Sequence, residues 1–574
     1  MRKIDLNGFE LKPFSLLVFF GLLFYSLGVQ AQTKSETNYI PLPPTSWEGN
    51  LEEISPKIPQ PNSPQDFSIQ RKVHVIYLVP TNKIYNDSYK VGMADTILHL
   101  RDFYQKELGS NYAFTLNDPI VEVYFTSHDT SWYQNNPNSS VDYKFWNNVV
   151  NDGKALTGAT DNSADKWLFY IDADPLCGQV GGAAQVNGPF GVLPANDLRG
   201  LTGQQNIPPC PQDPPDNGNK YRWIGGLGHE LGHTFGLPHP PGCGGSGTNY
   251  GCTGGQTAAN SLMWVGYAFY PNTNLLPSDK TTCINSGFFT PQNLAPPKPF
   301  DFNGDNISDI GIWRPGNGFW YILNSSAGTF TYQNWGLNGD KLVPGDYDGD
   351  RKTDYAVWRS SDSTWYILRS ATNTFSAVRF GIESDKPVPA DYDGDNKTDI
   401  AIWRQSDGVW WVNRSATNIA TAFRFGGNGD SPIPGDYNGD KRADFTVRRS
   451  TNNLWYVNNS YLNNFAGYSF GQTGDKLVSS DYDGDGKEDI AVWRPSNGIW
   501  YIRKSSDGSV IYISWGIGSD IPTPADYDGD GKTDAAVWRP GDNTFYILRS
   551  SSGSLPAYQL GSSGDIPVAS AFVR

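Results

Sequence analysis

The sequence predicts a multidomain protein: an α/β (α+β) domain over residues 71–290, followed by an all-β propeller of six blades over residues 300–574. Three observations carry this. Helix-like and strand-like hydrophobic periods alternate through the first region. From residue 301 a 45-residue unit recurs six times, each with four short strands separated by turns, which is the period and strand count of a propeller blade. A proline-rich hinge, PQNLAPPKP at 291–299, separates the two. At 574 residues the chain is also too long for one core.

Taken in order, residues 1–31 have the pattern of a secretory signal peptide. Arg2, Lys3 and Lys12 supply positive charge, Phe14 to Val29 is an apolar run, and Val29-Gln30-Ala31 is a small-residue cleavage site. The apolar run is short for a membrane span and no later stretch qualifies, so the expectation is a secreted, extracellular protein without a membrane span. An uncleaved anchor is the alternative. Residues 32–70, rich in Pro, Ser, Glu and Asn, read as a linker or short propeptide. The formal net charge of −15 argues against nucleic acid or an anionic membrane as partner.

Within 71–290, RKVHVIYLVP (71–80) reads as a first strand and Met93 to Leu108 as a helix, with Ile97, Leu100, Phe103, Tyr104 and Leu108 on one face. Ile120 to Phe125 reads as a strand, Val141 to Val150 as a helix, Lys166 to Ile171 as a buried strand, and Gly181 to Leu193 as an edge strand over a cleft. The chemistry concentrates in Tyr221 to Pro240, YRWIGGLGHELGHTFGLPHP. Residues four apart on a helix share a face, so His229 and His233 aim two imidazoles at one point. Glu230 lies about 100° further round, within reach of a metal-bound water but not placed as a ligand. Gly236 ends the helix, because glycine enters the left-handed region freely, and the chain turns back to bring in His239. Three imidazoles with one open position make a catalytic Zn²⁺ site. Glycines at 225, 226, 228 and 232 make the helix poor by propensity, so packing or metal must hold it.

The arrangement His229-Glu230-x-x-His233-x-x-Gly236-x-x-His239 is the metzincin form of the zinc-peptidase motif, and the region resembles a metzincin catalytic domain. A second signal agrees: Met263, in Ser261-Leu262-Met263-Trp264, lies 24 residues after His239 and is similar to the methionine turn beneath the zinc of that family. The resemblance implies one Zn²⁺ held by His229, His233 and His239, Glu230 as general base, Met263 in the turn below, and a protein or peptide substrate. All five cysteines fall in this region, at 177, 210, 243, 252 and 283. Secretion lets disulfides persist, and five leaves at least one thiol over or paired with another chain. Cys243 with Cys252 would close a short loop, and Cys177 with Cys210 is a weaker pairing.

The six acidic loops follow the pattern D-Y-D-G-D-x-K-x-D, with oxygen donors at positions 1, 3, 5 and 9. The first offers Asp301, Asn303, Asp305 and Asp309; the second Asp346, Asp348, Asp350 and Asp354; the third Asp391, Asp393, Asp395 and Asp399. The fourth offers Asp436, Asn438, Asp440 and Asp444; the fifth Asp481, Asp483, Asp485 and Asp489; the sixth Asp526, Asp528, Asp530 and Asp534. Crowded carboxylates repel one another unless a hard cation sits among them, so these loops are candidate structural Ca²⁺ sites, weaker where Asn303 and Asn438 stand in for Asp. The pattern resembles FG-GAP and VCBS repeats, which implies a calcium-binding propeller. The terminal GDIPVASAFVR is expected to supply the last strand of the sixth unit and close the ring. Trp313, Trp358, Trp403, Trp493 and Trp538 each precede an arginine; they are either blade core or an aromatic platform for sugars. The whole reads as a secreted zinc endopeptidase whose propeller targets substrate, glycans or a cell-surface protein. The rival is an adhesin or lectin-like glycan-binding protein with an inactive zinc domain, against which the intact Glu230 argues.

Overall fold

A computed structural model describes residues 71–574, except 110–111, 139, 205–219, 242, 245–250, 253–259, 265–269 and 460–463, together with Thr37–Asn38. The expected signal segment and most of the expected linker therefore lie outside the described residues. None of the described helices is long and apolar enough to cross a membrane.

The first domain is a mixed six-stranded sheet flanked by helices. Its elements are β1 (Lys72–Val79), α1 (Asp87–Leu108), β2 (Tyr112–Phe125), α2 (Thr130–Asn135), α3 (Lys144–Thr157), β3 (Lys166–Ile171), β4 (Ala183–Ala184), β5 (Phe190–Leu193), α4 (Ala195–Leu201), α5 (Lys220–Thr234), α6 (Pro277–Asn285) and β6 (Phe289–Pro291). The sheet order is β4-β5-β3-β1-β2-β6. β5, β3, β1 and β2 run parallel, with β4 and β6 antiparallel at the edges. β1 is apolar along nearly its whole length because both faces are covered, as parallel strands require. One face packs against α1, α5 and the Met263 turn, the other against α2 and α3.

Four expectations need correction. The strand expected at 120–125 begins eight residues earlier, at Tyr112. α1 begins at Asp87 rather than Met93, capped by Asn86, whose side chain accepts from the Ser88 N–H. The helix expected at 141–150 spans 144–157, ending on Gly158 at φ 76°. The stretch 181–193 is not one edge strand: Phe190–Leu193 lies inside the sheet beside β3, and the edge is the two-residue β4. Alternation cannot tell an interior strand from its neighbour, because both are apolar here.

The second domain is a six-bladed propeller. Five blades each take four consecutive strands, beginning with Lys341–Leu342, Lys386–Pro387, Asp430–Pro432, Lys476–Leu477 and Ile521–Pro522. The remaining blade combines Ile310–Arg314, Phe319–Leu323 and Phe330–Asn334 with Ile566–Pro567, which pairs at Ile312↔Pro567 and Trp313↔Ile566. The terminal strand thus closes the ring as expected, but as the inner strand of the first blade rather than the last of the sixth. Thr37–Asn38 lies parallel to the outer strand of the second blade.

The tryptophans settle into the blade interiors. Trp313, Trp358, Trp403, Trp493 and Trp538 are at most 1% exposed, which removes them as a sugar platform. Each indole N–H donates to a carbonyl of its own blade's outer loop, as Trp493 does to Trp515 O at 3.1 Å. The arginine beside each is bonded in a two-pronged fork to an aspartate 19 residues earlier: Arg359 to Asp340 at 2.8 and 2.9 Å, and likewise Arg404 to Asp385, Arg494 to Asp475 and Arg539 to Asp520. In the ring-closing blade Arg314 reaches Asp565 instead.

The two domains meet along α1. Asp95 accepts from Arg414 at 2.6 Å and Arg442 at 3.1 Å, and Asp102 pairs with Lys441 at 3.0 Å. Burial works against the Asp95 charge, but Arg414 and Arg442 outweigh it and hold the carboxyl below its usual range.

Candidate metal centre

α5 positions the site by being a glycine-rich helix pressed into apolar surroundings. Leu227 and Leu231 are fully buried, and the Tyr104 hydroxyl donates to Gly228 O at 2.9 Å. That close approach is possible because Gly228 and Gly232 have no side chain: a methyl at Gly232 would overlap Met263 Sδ. Gly236 sits at φ 96°, the left-handed conformation expected of it, and the chain reverses toward His239.

The three imidazoles converge. Nε2 of His229 lies 3.1 Å from Nε2 of His233 and 3.3 Å from Nε2 of His239. Two nitrogens bound to one tetrahedral Zn²⁺ at ~2.05 Å stand roughly 3.3 Å apart, so the spacing fits the ion. The outward nitrogens set the tautomers. His229 Nδ1 faces Leu262 O at 2.8 Å and His233 Nδ1 faces Leu237 O at 2.8 Å. A carbonyl only accepts, so both Nδ1 atoms carry hydrogen and both Nε2 atoms present lone pairs to each other. Two lone pairs at 3.1 Å repel unless a cation lies between them. Burial and the neighbouring rings hold His229 down at about 3, burial also lowers His233 and His239, and all three are neutral at pH 7, as ligands must be. His239 is exposed, so the cluster borders solvent.

Glu230 stands beside the cluster, with the Ala184 backbone N–H directed at its carboxylate. Burial, assisted by the Asp197 charge and opposed by that N–H, pushes it up to about 8. A divalent ion at the imidazoles would pull it back. The turn below is Ser261–Trp264, closed by Trp264 N–H to Ser261 O at 3.0 Å. Met263 is fully buried there, and its predecessor Leu262 supplies the carbonyl that orients His229. Sequence reading found the three histidines, Glu230 and Met263, but missed the carbonyls of Leu262 and Leu237, since backbone acceptors leave no residue-type signal.

Cys177 and Cys243 are disulfide-bonded, and Cys243 lies opposite Cys252 in a two-stranded ladder. Among the described residues Cys283 is a free thiol, fully buried in the core.

Four acidic loops bring three carboxylates within 4.8 Å of one another: Asp346, Asp348 and Asp354; Asp391, Asp393 and Asp399; Asp481, Asp483 and Asp485; Asp526, Asp528 and Asp534. Each first aspartate is held by backbone, as Asp346 accepts from Gly349 N–H at 2.6 Å and Arg351 N–H at 2.8 Å. Burial and mutual repulsion raise Asp346 to about 6 and Asp354 to about 7, although backbone donors oppose the rise. A cation would remove that cost. In loops one and four, where Asn stands in for Asp, the Asn303 amide donates to Asp305 at 2.9 Å, and the Asn438 amide to Asp444 at 2.9 Å.

Residues 346–402, 391–447 and 481–537 match the FG-GAP-like repeat family. The chain carries FG-GAP repeats on a six-bladed propeller, with an α/β region before it. No curated protein matches the sequence. Among solved structures, the chain is similar to virginiamycin B lyase from Staphylococcus aureus (10% identity, 46% of this chain and 88% of that one, TM-score 0.30). It is also similar to an Agrocybe aegerita lectin specific for non-reducing terminal N-acetylglucosamine (16%, 46% and 79%, TM-score 0.33). A third is OgpA from Akkermansia muciniphila (13%, 62% and 93%, TM-score 0.25).

Proposed function

We propose that the protein is a secreted zinc endopeptidase of the metzincin type, with a calcium-binding propeller that docks it to substrate or surface. The observation that carries the reading is the trio of Nε2 atoms at 3.1 and 3.3 Å, with two of the rings locked by carbonyls. His229, His233 and His239 would hold the ion, and a bound Zn²⁺ would lower the pKa of water in the open position toward ~7. The protein's own groups do the rest. Glu230 takes a proton from the attacking water and delivers it to the leaving amine. The N–H of Ala184, bonded to the Glu230 carboxylate, would hold it in place. β4, the two-residue edge of the sheet, would pair with an extended peptide. The backbone carbonyls of Leu262 and Leu237 keep the His229 and His233 imidazoles in one tautomer throughout.

The test is metal content by mass spectrometry together with cleavage of a broad peptide library. One tightly held zinc per chain, cleavage by the natural protein, and a loss of about 10²–10⁴-fold in Glu230→Ala are expected. Protein without zinc, or equal cleavage by Glu230→Ala, sinks the reading. Binding to a glycan array with no cleavage of any peptide favours the adhesin alternative.

A further inference from the structure

A cavity of about 420 Å³ opens at the C-terminal end of α5, walled by Arg71, Lys166, Asn187, Phe235, Asn285 and Phe288. It belongs neither to the histidine cluster nor to the acidic loops. Its charge is unbalanced. Lys166, the first residue of β3, is 7% exposed. Its ammonium has three protons to donate, and among the described residues one acceptor lies in reach, Gly188 O at 3.2 Å. The charged group that acts on it most is another cation, Arg71, and burial together with Arg71 pushes Lys166 down to about 8. Arg71 donates to Ser286 O at 2.7 Å. The adjacent carboxylate, Asp165, is turned to His74 and the Lys72 N–H instead.

Both cationic heads rest over one ring, Phe288, at 4.9 Å for Lys166 and 5.3 Å for Arg71. Cation–π contact explains where the side-chain stems lie. It supplies no counter-charge, and it does not explain an open cavity in front of the two heads. A buried ammonium beside a guanidinium is costly until an anion joins them. Phe235 and Phe288, both buried, give the cavity an aromatic wall, and Asn187 and Asn285 also line it.

We propose that this cavity binds a small organic carboxylate, its anionic head between Lys166 and Arg71 and its apolar body against Phe235 and Phe288. Arg71 and Lys166 supply directed donors that a carboxylate accepts with two oxygens. The volume suits a small molecule rather than a chain segment. The site also borders the end of α5, since the Asn187 N–H donates to His233 O at 2.9 Å. The assignment stands on the cavity alone and is independent of peptidase activity.

The test is calorimetric titration of the full chain with benzoate, using inorganic phosphate and chloride as comparison anions. Saturable benzoate binding is expected, weakened at least about tenfold in Lys166→Met and in Arg71→Gln, the loss of one charged hydrogen-bond donor. Arg71 is exposed, so Arg71→Gln decides the matter if Lys166→Met fails to fold. Phosphate binding without benzoate binding overturns the apolar-body assignment. Absence of saturable binding by any anion, or undiminished benzoate affinity in Arg71→Gln, overturns the site.

Discussion

Two glycines of α5 should answer one added methyl group in opposite ways. Glycine costs about 1 kcal/mol against alanine in a helix interior, so propensity alone makes Gly226→Ala and Gly232→Ala equally stabilising. A Cβ at Gly226 meets nothing within 4 Å, and the gain should appear there in full. At Gly232 it overlaps Met263 Sδ and stands 3.1 Å from Met263 Cε and the Tyr104 hydroxyl. Neither neighbour has room, since both are fully buried and the Tyr104 hydroxyl is tied to Gly228 O. Overpacking of this kind costs about 1–3 kcal/mol, which turns the gain into a net loss of about 1 kcal/mol. The two variants should therefore differ by about 2 kcal/mol, or roughly 4–8 °C in Tm for a domain of this size. Metal affinity should separate them too. Displacing Met263 disturbs Leu262, whose carbonyl fixes His229, so Gly232→Ala should release zinc to a competing chelator more readily, while Gly226→Ala should not. Scanning calorimetry and chelator titration on the full chain read both effects. If Gly232→Ala is as stable as Gly226→Ala and holds zinc equally well, the account of close packing beneath the helix is wrong.

His74 offers a pH test. It lies between Glu122 at 2.8 Å and Asp165 at 3.4 Å, stacked on Trp167. Burial opposes its charge, but the hydrogen bonds to Asp165 and Glu122 prevail, so its folded pKa is raised above the ordinary 6.5. Its contribution is thus fully present below the unfolded value and is lost as pH rises through the folded one. Thermal stability of the α/β domain should fall across that window in the natural protein, and His74→Gln should flatten the slope; an unchanged slope counts against it. At the domain junction, Asp95→Ala removes the carboxylate shared by Arg414 and Arg442, a loss of roughly 3 kcal/mol for a mostly buried pair. It should separate the melting of the two domains and expose 291–299 to proteases; one unshifted transition refutes this. Calcium should raise the Tm of the propeller, with four loops loading before those of Asn303 and Asn438. Six equivalent sites, or none, would contradict that order.

Much of the candidate site was legible because its spacing is local. His229 and His233 share a face by helix geometry, and Gly236 at φ 96° is a backbone requirement visible in one residue type. Strand and helix limits were less legible. α1 starts six residues earlier than hydrophobic period implies, because its first turn is held by Asn86 rather than by an apolar stripe. The Arg–Asp forks of the blades share the 45-residue period of the acidic loops, so the same repeat could have exposed them.

By itself the sequence determined the histidine spacing, the glutamate beside it and the count of blades, since each is encoded within one helical turn or one repeat. Tertiary structure alone decided which carbonyls orient the imidazoles, that Met263 packs under Gly232, and that the tryptophans face inward. It also decided that Ile566–Pro567 closes the ring on Ile312–Trp313. Those pairings join residues far apart in the chain, and their partners are chosen by the apolar surface and backbone hydrogen bonds left over once the local elements have formed.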